Sequence, residues 1–447
     1  MTRSSTRRHT VALSLALVSS LTLAGCGGSG GSGGSAGGGI AGSAQKDSGA
    51  ATDKVLKIGL LSTLDGAYAA LGQSANQGAK VALVKAGAKL DGTGDRDGIT
   101  GLTIGGQKVE LVVASSDATP DSALAATRQL VEKDDVDVLV GPLSGDEGLA
   151  VKDYAKQHPE TTFVNGTSGA QNTTLRDPAP NFFRFVTDGA QAMAGLGDYA
   201  AKDLGYKKIV TIGEDYSYPY DQVGGFMAPY CADGGSVPKK IWVPLGTKDF
   251  SSYIATIPKD VDALYVALGG ADVLNFTKQL DQSPLKGTPI LGGSISVDGS
   301  VIKGLGSRAE GIISAGSVAK LDTPQYKAYA DTLKASFPDS PPPGIFDLGY
   351  YIEMTATLDA LTTVKGELGD GHAALNKTLA NLQFETPVGP VKLDDNRQAI
   401  ANNYLFVVKD GQSQLLKTIS DVDQTLGLPR AEYVAQPAND RTHPSCP

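Results

Sequence analysis

Short apolar segments alternate with longer amphipathic segments along most of the chain, and this alternation constrains the fold more than any other feature. It begins after Lys54, where VLKIGLLS precedes an amphipathic stretch at 68–89, and it repeats with a second amphipathic stretch at 120–133. Strand and helix patterns in this order predict a mostly parallel sheet with helices on both faces. Further strand patterns, too many for one compact sheet, lie near Thr162, Ile209, Leu264, Leu291 and Ile312.

Two segments of the sequence echo each other and indicate two similar lobes. RQLVEKDDVDVLVGPLSG at 128–145 and YIATIPKDVDALYVALGG at 253–270 share an apolar helix end, a Lys-Asp turn, a Val-Asp pair, a buried strand and an exit with glycine. Such internal similarity is typical of a chain built from repeated units. We therefore predict an α/β protein of two similar Rossmann-like lobes, each with a parallel sheet.

The alternation stops in the last third of the chain. Helical patterns there are followed by ETPVGPVKLD, which predicts two short paired strands, and by a late strand at 402–411. A chain that builds one lobe, then the second, returns to the first and ends in the second crosses between them three times, and such crossings act as a hinge. The helical patterns cover 323–337, 344–364 and 372–382, and the predicted crossings are 184–187, 314–317 and 397–401.

The N-terminal segment is predicted to be a targeting signal. Three arginines precede an apolar run at 11–23, which is too short to span the roughly 30 Å of hydrocarbon in a bilayer. The pattern is typical of a secretory signal peptide over residues 1–25. Its end, Leu-Ala-Gly-Cys, resembles a bacterial lipobox, which predicts acylation of Cys26; ordinary cleavage beside an incidental cysteine is the alternative. The Arg7-Arg8 pair leaves general secretion and twin-arginine export both open.

Residues 26–53 are rich in glycine and serine and predict a flexible tether that holds a folded domain near the extracytoplasmic face of the cell membrane. The formal net charge of the chain is −9, and removal of the three arginines in residues 1–25 lowers it to −12. An acidic protein lacks the positive field that collects phosphates. We therefore predict no nucleic-acid partner.

The motifs of catalysis and cofactor binding are missing from the sequence. The three cysteines do not form the paired spacings of a zinc site, and no Gly-x-Ser-x-Gly, HExxH or Walker A pattern occurs. The acidic run at 91–97 lacks the glutamate that closes an EF-hand loop, and a solvated insertion is the simpler interpretation. We predict a protein that is not an enzyme and holds no metal or cofactor.

Several segments, taken in order, resemble the leucine/isoleucine/valine-binding family of ABC-importer substrate-binding proteins. They are IGLLSTLDGAYAALGQSANQGAKVAL, SSDATPDSALAATRQLVEKDDVDVLVGPLSG and KKIVTIGEDYSYPYDQV. The resemblance implies the two-lobed fold of type I periplasmic binding proteins. It also implies lobe I at 54–186 and 317–397, lobe II at 187–316 and 398–428, and a proline-rich tail at 429–447.

The resemblance implies a ligand site between the lobes. In lobe I, hydroxyl and backbone NH groups of two loops hold the ligand carboxylate, and in lobe II a tyrosine packs over the ligand. The implied positions are Ser144, Gly145, Thr167, Ser168, Gly169 and Tyr218. Simple helix capping by Ser144 is the alternative for that residue.

Three positions depart from the family pattern. Ser294 stands where the family has the acid that meets the ligand's ammonium, Gly269 stands where amino-acid binders have a tyrosine, and Leu71 is aliphatic. The resemblance therefore implies a small polar ligand, either an amino acid or a related carboxylate or amide. Asp347, Asp215 and Asp272 are the candidates for a replacement acid.

The implied partners are an ABC permease and its ATPase, with the receptor itself a monomer. A ligand-sensing surface receptor of the same fold is the alternative. On the family layout Cys231 and Cys446 lie in lobe II and the tail, and an oxidising compartment would let them pair.

Overall fold

The computed structural model describes residues 54–446. The predicted signal peptide, the acylation of Cys26 and the tether at 26–53 lie outside the described residues. Within 54–446, no helix is both long enough and apolar enough to cross a membrane.

The first sheet has six strands in the order β4-β5-β1-β6-β7-β8. Strands β5, β1, β6, β7 and β8 are parallel, and only β4 runs antiparallel to its neighbour. Their apolar side chains are buried beneath helices on both faces, as a parallel sheet requires. The strands are β1 (Val55–Thr63), β4 (Thr103–Ile104), β5 (Gln107–Ser116), β6 (Val138–Val140), β7 (Thr162–Val164) and β8 (Phe182–Phe183). A separate hairpin, β2 (Lys89–Leu90) with β3 (Ile99–Thr100), encloses the acidic run.

The second sheet has nine strands in the order β10-β9-β11-β12-β13-β16-β15-β14, with β17 also paired to β16. The strands from β10 to β13 are parallel, and β14 to β17 are antiparallel. They are β9 (Lys208–Glu214), β10 (Ser236–Val243), β11 (Ala263–Ala267), β12 (Ile290–Gly292), β13 (Ile313–Gly316), β14 (Gln383–Thr386), β15 (Gly389–Leu393), β16 (Ala399–Lys409) and β17 (Gln412–Val422).

Helices follow most of the parallel strands. The proline at the first position of α2 and of α9 suits a helix start, since that position needs no NH partner, and a threonine caps each of the two helices. The helices are α1 (Ala69–Lys85), α2 (Pro120–Arg128), α3 (Gly145–Ala155), α4 (Leu196–Asp198), α5 (Ser217–Ala232), α6 (Ser251–Ile254), α7 (Gly270–Leu280), α8 (Gly299–Leu305), α9 (Pro324–Ser336), α10 (Ile345–Thr363), α11 (Gly369–Ala380) and α12 (Arg430–Ala435).

The predicted fold class, an α/β protein with two parallel-rich lobes, is confirmed. One part of the predicted domain division does not hold: the β14–β15 hairpin, inside the segment 317–397 expected in lobe I, pairs with β16 of the second sheet. Strand β15 directly precedes β16 in the chain, and the two pair as antiparallel neighbours. The remaining boundaries stay predictions.

The C-terminal tail, residues 429–446, runs between the two lobes. At its start, the Arg176 guanidinium from the first lobe donates to the carbonyls of Val434 (3.2 Å) and Gln436 (2.9 Å). Near its end, Cys446 is joined by a disulfide to Cys231 of α5, with Cα atoms 5.5 Å apart. The tail therefore contacts lobe I and is covalently attached to lobe II.

We predict that the Cys446→Ser variant is less stable than the wild type by about 3 kcal/mol, because the crosslink closes a long loop and so restricts the unfolded chain. Urea unfolding with and without a reductant measures the difference. Reduction should lower the midpoint of the wild type and leave that of the variant unchanged. Equal stability of the two proteins under oxidising conditions would contradict the prediction.

Candidate ligand-binding cleft

The first wall of the cleft is the N-terminus of α3, directly after β6. Ser144 is the residue before the helix; its backbone NH donates to Glu147 Oε2 (2.8 Å) and its hydroxyl donates to the carbonyl of Ala118 (3.1 Å). Gly145 opens the helix. Because unpaired NH groups and the helix dipole favour an anion at such a terminus, this wall suits a carboxylate. Capping of α3 by Ser144 is compatible with a ligand contact at the same terminus, because the two would use different atoms.

In lobe I, the loop after β7 contributes Thr167 to the cleft. The side chain of the next residue, Ser168, turns into the protein interior. Thr167 lines the cleft, and its hydroxyl donates to the carbonyl of Leu143 (3.3 Å). Ser168 is fully buried and donates to Asn165 Oδ1 (2.8 Å), while its carbonyl accepts from Arg184. Ser168 therefore holds the loop in shape, and its side chain does not face the ligand space.

The opposite wall comes from α5 and the segment after β12 in lobe II. The Tyr218 hydroxyl and Ser294 Oγ lie 2.8 Å apart, and Gln222 Nε2 donates to the same Ser294 oxygen (2.5 Å). Burial raises the pKa of Tyr218 to about 12, so the phenol stays neutral and can donate a hydrogen bond. Ser294 thus fixes the ring of Tyr218 over the cleft. It has no carboxylate with which to take the role of the acid that the family has at this position.

The two walls are in contact, so the cleft is closed. A Cβ atom on Gly169 would lie 2.2 Å from the Tyr218 ring, and one on Gly145 would lie 2.5 Å from Ser217 Oγ. Across the cleft, the backbone NH of Ser217 donates to Asp146 Oδ1 (3.1 Å). The remaining space is about 10 Å³, near the limit for a single water molecule, so a ligand enters only when the lobes separate.

The lining of this space is mostly apolar and includes residues that the sequence analysis missed. Aromatic and aliphatic side chains from both lobes surround the polar groups of α3, as is typical of small-molecule sites. The lining consists of Leu143, Ser144, Gly145, Thr167, Tyr216, Tyr218, Ile295, Ile345 and Phe346. Ile345 and Phe346 begin α10, and only the tertiary fold brings that helix start to the cleft.

Five of the nine implied positions lie outside the lining, namely Ser168, Gly169, Ser294, Leu71 and Gly269. Leu71 is buried in the hydrophobic core on α1. Gly269 contributes its backbone NH, which donates to Glu214 Oε1 (2.9 Å). The next residue, Gly270, has a positive φ of 49°, and a Cβ there would lie 2.7 Å from the carbonyl of Ala67 in the other lobe. This glycine pair therefore allows the lobes to approach.

None of the three acids considered as replacements faces the cleft. Asp347 accepts from the backbone NH of Gly344 (2.7 Å) at the start of α10. Asp272 accepts from the NH of Gly246 (2.8 Å), and Asp215 pairs with Arg441 of the tail. Each carboxylate is thus used in a local structural contact.

An acid that the sequence analysis missed does lie between the lobes. Glu214 ends β9 and is fully buried; its Oε2 atom accepts a hydrogen bond from the hydroxyl of Tyr68, which belongs to lobe I. The hydroxyls of Tyr68 and Tyr216 are 2.9 Å apart. Burial raises the pKa of Glu214 to about 8. Its place at the carboxyl end of a parallel strand, where such folds bind ligands, is the signal that could have identified it.

A larger groove of about 1070 Å³ lies elsewhere, between β17, α5 and the C-terminal tail. It does not contact the α3 terminus or Tyr218. Only the interlobe cleft, of these two spaces, has both the α3 terminus and Tyr218 in its lining.

Comparison with known proteins identifies the class. A family model described as periplasmic binding protein matches residues 55–413. The chain therefore belongs to the periplasmic binding protein family, which confirms the resemblance. It is a solute-binding protein of the kind that serves ABC transporters, binds small ligands and works outside the cytoplasm.

Individual relatives agree with this class. Leu/Ile/Val-binding protein homolog 6 of Brucella melitensis is 24% identical over 362 residues, covering 79% of this chain and 87% of the relative. An ABC transporter substrate-binding protein from Sphaerobacter thermophilus is 28% identical, with a TM-score of 0.72 over 83% of this chain and 99% of that one. A solute-binding protein of an ABC transporter from R. palustris, solved in complex with benzoate, is 26% identical, with a TM-score of 0.73 over 82% of this chain and 98% of that one.

We predict that Gly169→Ala shifts the lobes toward an open arrangement, because the added methyl group cannot occupy the space of the Tyr218 ring. Small-angle X-ray scattering of the ligand-free protein should show a larger radius of gyration. Gly369→Ala is the matched control, since nothing lies within 4 Å of a Cβ at that glycine. Identical scattering from the Gly169 and Gly369 variants would contradict the prediction.

We also predict that Glu214→Gln flattens the dependence of stability on pH. In the folded protein Glu214 keeps its proton up to about pH 8, whereas in the unfolded chain it loses the proton near the usual pKa of 4.5. The folded state therefore binds more protons in this window, and its stability falls as the pH rises, by at most about 1.4 kcal/mol per pH unit.

Glutamine cannot ionise, so the stability of the variant should fall less steeply between pH 5 and pH 8. Urea unfolding at several pH values measures both profiles. Parallel profiles for the two proteins across that window would count against a protonated Glu214.

Proposed function

We propose that this protein is the lipid-anchored solute receptor of an ABC importer. It captures a small polar ligand, an amino acid or a related carboxylate or amide, between its lobes and delivers it to a membrane permease. The acylated Cys26 and the tether at 26–53 would confine the folded domain close to the permease. Two lipid chains bind a membrane firmly, whereas one chain binds reversibly.

The single observation that supports this proposal most strongly is the meeting of the α3 terminus with Tyr218 across the closed cleft. The two groups belong to different lobes and approach so closely that a Cβ atom on Gly145, the first residue of α3, would lie 3.1 Å from the backbone nitrogen of Tyr218. A ligand between them would contact both lobes only in the closed state. Such a ligand stabilises that state by its differential affinity, which is the physical basis of capture.

The names of the relatives support a small carboxylate as the ligand. The Brucella relative is named for leucine, isoleucine and valine, and the R. palustris protein was solved with benzoate. Both kinds of molecule carry one carboxylate on an apolar body. In this chain the NH groups of the α3 terminus suit the carboxylate, and Phe346 and Ile295 suit the apolar body. The Thr167 hydroxyl would donate to the carboxylate by turning away from the carbonyl of Leu143.

The proposal predicts that at least one member of a panel of amino acids, amides and aromatic acids stabilises the domain from residue 54 onward. A ligand that binds only the folded state raises the thermal midpoint by mass action, and calorimetry then gives its affinity. The panel includes L-leucine, L-valine, benzoate and 4-hydroxybenzoate. A midpoint unchanged by every member would contradict the proposal.

The lobe I wall is tested with Thr167→Val. Loss of the hydroxyl should weaken binding of the strongest panel ligand about tenfold, the usual effect of one hydrogen bond. Thr167→Ser keeps the hydroxyl and should restore the affinity. Thr363→Val, on the exposed face of α10, is the control. An affinity unchanged in Thr167→Val would remove this residue from the site.

A further inference from the structure

The start of helix α10 receives its hydrogen bonds from both lobes. The backbone NH of Gly344, the residue before the helix, donates to Asp347 Oδ1 (2.7 Å) of the same helix. The next NH, that of Ile345, donates to Asp298 Oδ2 (2.8 Å), and Asp298 is the residue before helix α8. Helix α10 packs against α1 in lobe I, whereas α8 packs against α7 in lobe II. One of the first NH groups of α10 is therefore capped across the interface between the lobes.

The carboxylate of Asp298 has one oxygen for each lobe. The side chain is buried, and its Oδ1 atom accepts from the backbone NH (2.9 Å) and the hydroxyl (2.8 Å) of Ser300 in its own lobe. Its Oδ2 atom accepts from Ile345 in the other lobe. Within the described part of the chain Asp298 accepts at both oxygens and donates at neither, as an ionised carboxylate does. Hydrogen bonds to such a charged acceptor are stronger than those between neutral groups, so the bond to Ile345 stabilises the closed arrangement.

Two glycines let the segments that carry these groups approach closely. A Cβ atom on Gly344 would lie 2.1 Å from Asp298 Oδ2, and one on Gly299 would lie 2.1 Å from the carbonyl oxygen of Pro342. Both distances are far inside van der Waals contact, so a side chain at either position would force the two segments apart. The sequence is therefore suited to a tight contact between the lobes at this place.

This contact reaches the ligand space through α10. Ile345 and Phe346, the first two residues of the helix, line the space between the lobes, whereas Asp298 does not. Because the bonded NH belongs to Ile345 itself, the bond fixes the backbone that carries these two side chains. When the lobes separate, Asp298 Oδ2 loses its partner, while the bond between Gly344 and Asp347 stays within lobe I.

We propose that Asp298 is a positioning residue for ligand capture, which stabilises the closed state and holds Ile345 and Phe346 in place without touching the ligand. The inference rests on the proposed function for its effect on affinity, whereas the cap between the lobes exists without a ligand. A bond that forms only on closure differs between the open and closed states and so shifts their populations. A ligand held in the closed state then leaves more slowly, and its encounter with the open state is unchanged.

The variant Asp298→Asn separates the roles of the two oxygens. Asparagine caps a helix about as well as aspartate, so α8 keeps its cap, but its NH2 group cannot accept from Ile345. Asp298→Ser also caps α8 and is too short to reach Ile345. In both variants, amide hydrogen exchange of the ligand-free domain should be tenfold or more faster at the start of α10. Ser300→Ala is the matched control, since it removes a partner of Oδ1 within lobe II and should leave that exchange unchanged.

The effect on capture is measured with the strongest ligand of the earlier panel. Asp298→Asn should weaken binding about tenfold, the usual effect of one hydrogen bond to a charged group. Stopped-flow kinetics should show the whole change in the dissociation rate and none in the association rate, because the bond is absent from the open state that the ligand meets. Ser300→Ala should keep both rates, and thermal midpoints show that each variant is folded.

Three results would overturn the inference. Equal exchange at the start of α10 in the wild type and in both Asp298 variants would remove the cap between the lobes. Faster exchange with an unchanged dissociation rate would leave a structural cap that plays no part in capture. Binding of no panel member would overturn the proposed function and, with it, the role of Asp298 in capture.

Discussion

The buried guanidinium of Arg184 is the interaction on which the rest of the site depends. It is fully buried, and it donates to the carbonyls of Ser168 (3.1 Å) and Ala170 (2.8 Å) and to the hydroxyl of Thr174 (2.7 Å). It also donates to Gln398, beside which the chain returns to the second sheet. A buried cation is costly unless its donors are paired, so these bonds fix the loop at 168–170 and the segment at Gln398 relative to each other. Glycine at 169 can then meet the opposite wall.

The buried polar network around Arg184 lies on one side of the loop at 168–170, and the mostly apolar cleft lies on the other side. Behind this loop, Gln191 and Asp188 continue the buried polar network, since Gln191 donates to the carbonyls of Ala399 and Val422 (2.9 Å each). In front, the lobes touch through ring edges, glycines and the Tyr68–Glu214 contact. Hydrogen bonds hold the buried network behind the loop, whereas the front combines apolar contacts with the Tyr68–Glu214 and Ser217–Asp146 hydrogen bonds.

Much of the fold could be predicted because strand and helix periods are local properties of the sequence. The strands predicted near Thr162, Ile209, Leu264, Leu291 and Ile312 are all present in the two sheets. Helix α10 (Ile345–Thr363) lies almost as predicted at 344–364. Strands β10 and β17 were missed, since SVPKKIWV contains an internal proline and QSQLLKTISDV is largely exposed and lacks a continuous apolar run. Ser144 and Thr167 line the small space between the lobes, and their contact with a ligand stays a prediction. Glu214 was missed because its importance comes from Tyr68, which lies 146 positions away in sequence.

The most direct test of the account is a crystal structure of the domain with its strongest ligand bound. The account predicts density for the ligand between the two lobes, with its carboxylate within hydrogen-bond distance of the α3 terminus and its body against Tyr218. Density in the groove beside the C-terminal tail, with the interlobe cleft still empty, would contradict it.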